Sequence, residues 1–153
     1  MHKQKGFSLI ELLIVVAIIL IIAAIAVPNL LRSRMAANEA SAVGSTRTIV
    51  SSEFAYYSTF GGGTTYATLA TLGTNNLVDT VLAAGSKSGY STMAALAGTP
   101  NGTQFITNSI PLTVGTTGQR AFCSTEDGVI HFDPNGAGTT AHDTCQGMTN
   151  VLQ

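Results

Sequence analysis

Charge is scarce along this chain: only 10% of its 153 residues are Asp, Glu, Lys or Arg. The few charges are unevenly placed. After residue 50 there are two basic residues (Lys87, Arg120) against six acidic ones (Glu53, Asp79, Glu126, Asp127, Asp133, Asp143), a net charge of −4. Nonspecific nucleic-acid binding wants a basic stripe, and no such stripe exists there. Histidine is nearly absent too: of three, His2 lies in the first few residues. Neither a Gly-x-Ser-x-Gly elbow nor a phosphate-cradling Gly-Lys-Ser/Thr loop occurs, so we expect no enzyme. Large apolar residues are sparse from Ser58 onward, where Gly, Thr, Ser and Ala dominate. That composition supports only a small core.

The apolar content is concentrated elsewhere. Leu12 to Val27 is an unbroken run without a polar side chain, and the wider segment Phe7–Val27 is interrupted only by Ser8 and Glu11. As a helix it measures roughly 31 Å, the hydrocarbon thickness of a bilayer. Lys3 and Lys5 precede it, as on the cytoplasmic side of a membrane span. A cleavable export signal has a shorter apolar core and a small-residue cut site behind it. Glu11 is the anomaly. A carboxylate inside a lipid-facing helix costs about 2.5–3.5 kcal/mol on insertion scales, and such groups normally have a partner. No basic side chain follows within a turn or two; the local cation would be an α-amino group, if the chain were cut before Phe7.

Beyond Pro28, which is expected to kink the helix or loosen its turn, helical periodicity continues from Asn29 to about Thr59. Leu31, Met35, Ala42, Ile49 and Phe54 recur at helical spacing, with Val50 and Tyr57 beside them. Arg32, Arg34, Asn38, Glu39, Arg47 and Glu53 are assigned to the other face. Gly61-Gly62-Gly63 stops a helix about 80 Å long if straight.

The stretch Gly6-Phe7-Ser8-Leu9-Ile10-Glu11 closely resembles the prepilin motif of type IV pilins and of the pseudopilins of type II secretion systems. The resemblance covers residues 1 to roughly 57 well and the remainder loosely. It implies a leader, residues 1–6, removed after Gly6 by a prepilin peptidase that also methylates the new N-terminal Phe7. Glu11 would pair with the terminal amine of a neighbouring subunit, setting register as the apolar helices bundle into a homo-oligomeric filament. An inner-membrane assembly platform and its motor ATPase are the further implied partners. The precursor would be a single-pass inner-membrane protein and the product a surface pilus, or a periplasmic pseudopilus if the chain is a secretion pseudopilin. Family members often carry glycine eight residues before the proline; here that position is Leu20, which argues for less helix melting there.

The fold expected is α+β, the pilin fold: a long kinked N-terminal helix (7–59, split into 7–27 in the membrane or filament core and an amphipathic 28–59 spine) packed on a small antiparallel sheet in a head spanning 60–153. Asn76 to Gly85 reads as a short helix capped by Asn76, with Leu77, Val78, Val81 and Leu82 packing. "GYSTMAAL", "TQFITNSI", "QRAFCST" and "GVIHF" read as four strands, with turns at Pro100–Gly102, Gly115–Gly118 and Asp127-Gly128.

Cys123 and Cys145 stand 22 residues apart. Export permits a disulfide, and pilins often carry such a C-terminal loop; two free thiols are the alternative. With His131 and His142 these cysteines lack the close ligand pairs of a zinc site. Glu126, Asp127, Asp133, Asn135 and Asp143 offer hard oxygens for the calcium site that the pseudopilin resemblance implies, or they are ordinary solvated turns. No other cofactor is expected.

Overall fold

The computed structural model describes residues 7–152. The architecture is α+β, a long N-terminal helix and a small antiparallel sheet. The chain divides into two compact units between Arg34 and Met35, and each is described by itself.

Helix α1, Leu9–Thr59, runs through both. In the first unit its apolar side chains from Leu9 to Val27 are solvent-facing, with Leu, Ile and Val between 45% and 81% exposed. By length and composition this segment can cross a membrane. Pro28 lies inside the helix without ending it. Proline has no N–H to give the carbonyl of Ala24. Next to that gap, Asn29 Nδ2 donates to Ile25 O and Ser33 Oγ to Asn29 O, both at 3.0 Å. The helix stops where expected. Gly61 N and Phe60 N both donate to Tyr56 O, and Gly62 and Gly63 take positive φ. A Cβ at Gly61 would lie 2.1 Å from Thr65 O, so only glycine fits.

In the second unit, helices α2 (Leu69–Thr74) and α3 (Thr80–Ala83) lead into a five-stranded sheet. Its strands are β1 (Ser86–Lys87), β2 (Tyr90–Ala97), β3 (Gln104–Pro111), β4 (Ala121–Thr125) and β5 (His131–Asp133). They are antiparallel neighbours in sequence order, with Tyr90 opposite Pro111 and Ile106 opposite Thr125. A last short helix, α4 (His142–Gln146), carries Cys145.

Both sheet faces are covered. On one, Ile49 of α1 joins Leu69, Leu72, Val78, Leu82 and Ala94, while Ala42 meets Tyr90, Phe122 and Ile130. On the other, Ile106 packs with Cys123, Cys145 and Met148 of the C-terminal segment. Hence β4 is buried at every position and β3 nearly so, with no polar–apolar alternation. Most buried hydroxyls find partners; those of Thr107 and Thr125 have none, but a chain of others crosses from sheet to helix. Thr46 Oγ1 donates to Ala42 O, so Ser109 Oγ donates to Thr46 (3.0 Å) and Thr92 Oγ1 to Ser109 (3.2 Å). Gly118 is tight: a Cβ there would lie 2.0 Å from the hydroxyl of Tyr90, which itself donates to Arg120 O. At the end of α1, Tyr57 stacks on Tyr66, which meets Phe105 at 4.8 Å.

Several expectations need correction. The helix read from Asn76 to Gly85 is only the four residues of α3, and its cap is Asp79, whose Oδ1 accepts Leu82 N at 2.7 Å. Asn76 instead sits at φ 56° just beyond α2. Leu77 and Val78 lie in the link before the helix, and Val81 faces solvent. Helices α2 and α4 and strand β1 lie outside the sequence expectations, since six, five and two residues are too short for periodicity to register. The spine does not divide into an apolar and a polar face either. Asn38, Glu39 and Glu53 turn towards the head, and Phe54 is 42% exposed.

Cys123 and Cys145 form a disulfide. It ties α4 to β4 across the sheet's outer face. Replacing both cysteines with serine is expected to lower the unfolding free energy of the full chain in detergent by ~3 kcal/mol for a loop of this length. Urea denaturation measures it; an unchanged midpoint would show that packing alone holds the C-terminal segment.

Candidate functional site

The first turn of a helix leaves four backbone N–H groups without intrahelical acceptors. Ser8-Leu9-Ile10-Glu11 answers with the S-x-x-E arrangement of a capping box. Glu11 Oε2 accepts the Ser8 N–H at 3.0 Å. A carboxylate at this end also faces the positive pole of the helix dipole. Besides the partner expected outside the helix, Glu11 thus has this local one, and the Ser8–Glu11 spacing is its signal in the sequence. Among the described residues Glu11 Oε1 takes no hydrogen bond, so one oxygen remains for a partner. Phe7, immediately before the cap, is 84% exposed. Gly6, the other proposed processing residue, lies outside the described residues. Pro28 is in the same helix, beyond the apolar run.

Glu39, Glu53, Glu126 and Asp143 each bond a group of the head itself. Glu39 Oε1 accepts the N–H of Gln119 (2.9 Å) and of Arg120 (3.1 Å). Its Oε2 meets the Arg120 guanidinium at 2.9 Å and 2.8 Å, and that guanidinium lies over the rings of Phe122 and Phe132. Burial pushes the Glu39 pKa up, but these donors together hold it below its ordinary value. Glu53 is fully buried. Oε2 accepts Ala67 N at 2.9 Å, while Oε1 has no partner. Burial raises its pKa to about 7 against the one N–H that lowers it.

His142 is clasped between carboxylates: Nε2 is 2.8 Å from both Glu126 oxygens and Nδ1 is 2.9 Å from Asp143 Oδ1. Burial alone would lower its pKa, yet Asp143 and Glu126 outweigh that and raise it. The clasp joins the end of β4 to α4, beside the disulfide.

The residues suggested for calcium do not fit a shared coordination shell. Asp127 Oδ1 accepts Val129 N; Asp133 caps the turn at Asn135, Ala137 and Gly138; Glu126 and Asp143 hold His142. Asn135 enters this group through its backbone N–H, which bonds Asp133. Among the described residues no three His, Cys, Asp or Glu are placed to hold a metal ion. Of the residues considered for zinc, Cys123 and Cys145 offer no thiolate, because both sulfurs are spent in the disulfide.

Residues 1–27 match the family described as the prokaryotic N-terminal methylation motif. The chain is similar to the type IV wide pilus major component PilA4 of Thermus thermophilus, 62% identical over 39 residues, which is 26% of this chain and 30% of that protein. It is also similar to the fimbrial protein EcpB of Eikenella corrodens, 53% identical over 60 residues, 37% of each chain. The matched stretch thus spans about a third of these curated relatives. No solved structure matches.

Glu53 and His142 make the head sensitive to pH in the same direction. Glu53 rises from 4.5 to about 7 on folding, so its stability is complete below pH 4.5 and is lost as pH climbs through 7. The contribution of His142, raised above 6.5, is complete below that value and also fades at higher pH. Denaturation of the full chain at pH 5 and pH 8 is expected to show a loss of about 2–3 kcal/mol, most of it from Glu53. Glu53→Gln is expected to remove more than half of that loss. An equal loss in the variant would mean that Glu53 is ionised in the folded head at both pH values.

Proposed function

We propose that this chain is a structural subunit of a filament, a pilin of a type IV pilus, and not an enzyme. The carrying observation is the exposed apolar helix Leu9–Val27 with a single carboxylate near its start, on a methylation motif that covers residues 1–27. Such a surface needs lipid or identical helices around it. The precursor sits in the inner membrane with its basic leader inside. A prepilin peptidase cuts after Gly6 and methylates Phe7, leaving a charged amine four residues before Glu11. An assembly platform and its motor ATPase draw the helix out of the bilayer into a homo-oligomeric filament exposed on the cell surface. There it serves adhesion, motility or DNA uptake.

Glu11 has two tasks in this scheme. One oxygen caps its own helix, and the other meets the amine of a neighbour. A buried ion pair offsets its desolvation only in good geometry, and breaking one costs about 3–5 kcal/mol, so misregistered neighbours are rejected. Two observations support a pilus over a type II secretion pseudopilus: the disulfide across the C-terminal segment, and relatives whose names are those of pilus and fimbrial proteins.

Two substitutions separate the tasks. Glu11→Gln retains an oxygen for the Ser8 N–H but carries no charge; Glu11→Ala loses both. Both variants are expected to reach the membrane normally and to fall at least about tenfold in the filament fraction sheared from cells, given the cost of an unpaired amine. Normal assembly by Glu11→Gln would show that the cap, not the ion pair, is what the carboxylate supplies.

A further inference from the structure

The charges of the head are sorted, and the sorting leaves one cation without a partner. Lys87 pairs with Asp79 and Arg120 with Glu39. Arg47, exposed on α1, has no carboxylate within 4.0 Å among the described residues. It borders an open groove of about 380 Å³ lined by Thr48, Ser51, Ser52, Ala55 and Leu77. The wall on the far side is fixed, since Ser52 Oγ donates to Leu77 O at 2.8 Å. This groove therefore offers one positive charge beside small and apolar side chains. Leu77 belongs to the link before α3, which packs against β1, one edge strand of the sheet.

A charge of opposite sign is found towards the other edge, at the turn between β4 and β5. Gly128 takes φ 72° and its N–H donates to Thr125 O, while Asp127 Oδ1 accepts Val129 N at 2.9 Å. The result is a short, internally bonded turn that carries Asp127, whose side chain is 32% exposed and whose Oδ2 lies 3.6 Å from His131 Nε2, next to an exposed valine, Val129. One partly exposed carboxylate and one exposed apolar side chain stand together, with the sign opposite to that of the groove.

We infer that the Arg47 groove receives the Asp127–Val129 turn of a second copy of this chain, Asp127 meeting Arg47 and Val129 resting against Leu77 and Ala55. Groove and turn are different patches near opposite edges of one sheet. The contact is therefore head-to-tail, and a head-to-tail contact whose rotation does not close propagates as an open helix. The groove is far smaller than a stable interface requires. It adds specificity and register to a filament whose cohesion comes from the apolar helices. This rests on the filament reading above.

The test uses the full chain in the cells that make it. Ser51→Cys and Val129→Cys are placed together in one chain and oxidised, and the products are separated without reductant. A ladder of dimers, trimers and higher multimers is expected from the double variant and none from either single variant. Disulfide-linked dimers from Ser51→Cys alone would mean that the groove meets its own copy, which overturns the inference. Absence of any ladder, with the subunit still abundant in sheared filaments, overturns it while leaving the filament reading intact. A wild-type chain that never enters filaments overturns both. Charge exchange gives an independent readout. Arg47→Glu and Asp127→Arg are each expected to lower filament yield about tenfold, and their combination to restore most of it. Disulfide formation and an unchanged melting midpoint show that each variant head is folded. Folded single variants that assemble like the wild type contradict the assignment.

Discussion

The apolar surface of Leu9–Val27 is the constraint from which the rest follows. Burying an aliphatic side chain of this size is worth about 1.5–3 kcal/mol, and more than a dozen are exposed here. The sum is tens of kcal/mol, larger than the net stability of a typical domain, about 5–15 kcal/mol. No arrangement in water tolerates that. A bilayer satisfies it through lipid, and a bundle of identical helices satisfies it through packing. The proposed passage from one to the other leaves apolar burial nearly unchanged, so a single ionic contact at Glu11 can decide it. Because lipid and helix bundle are nearly equivalent solvents for leucine and isoleucine, specificity has to come from a polar group.

The head is built under the opposite shortage. It has few large apolar residues, so it covers both faces of its sheet, with α1 on one and the disulfide-tied C-terminal segment on the other. Between helix and sheet the space is filled by hydroxyls linked in sequence, Thr92 to Ser109 to Thr46, and by two glutamates of α1. Glu39 is well provided with donors and locks the approach to β4. Glu53 is not, and its unpartnered oxygen makes it the least comfortable group in the core. The two carboxylates lie fourteen residues apart on one helix, yet their environments move their pKa values in opposite directions.

Much of this was legible in the sequence, for physical reasons. The apolar run, the glycine stop after Thr59, strands β2, β3 and β4 and their turns all rest on signals that span several residues or on backbone conformations open chiefly to glycine; of the strand read at 128–132 only His131 and Phe132 fall in β5. The pairing of Cys123 with Cys145 followed from the family resemblance. What escaped notice was local or tertiary. Helices α2 and α4 make less than two turns each and strand β1 a single alternation, too little for a period to repeat. The cap of α3 is Asp79, not Asn76; both are good capping residues, and only the fold decides between them. Glu39 and Glu53 were assigned to solvent because charge usually belongs there. Their burial depends on backbone donors from Gln119, Arg120 and Ala67, distant in sequence. The S-x-x-E cap at Ser8 and Glu11 is the exception: it is local in sequence and readable from spacing alone.

The central claim is that the stalk, freed of its leader, is the assembling element. Mass spectrometry of filaments sheared from the producing cells tests it most directly. The account predicts an abundant N-terminal peptide that begins at Phe7 and carries an N-methyl group. A chain that retains Met1 to Gly6 in cells possessing the peptidase, or a processed chain found only in membranes, would contradict it.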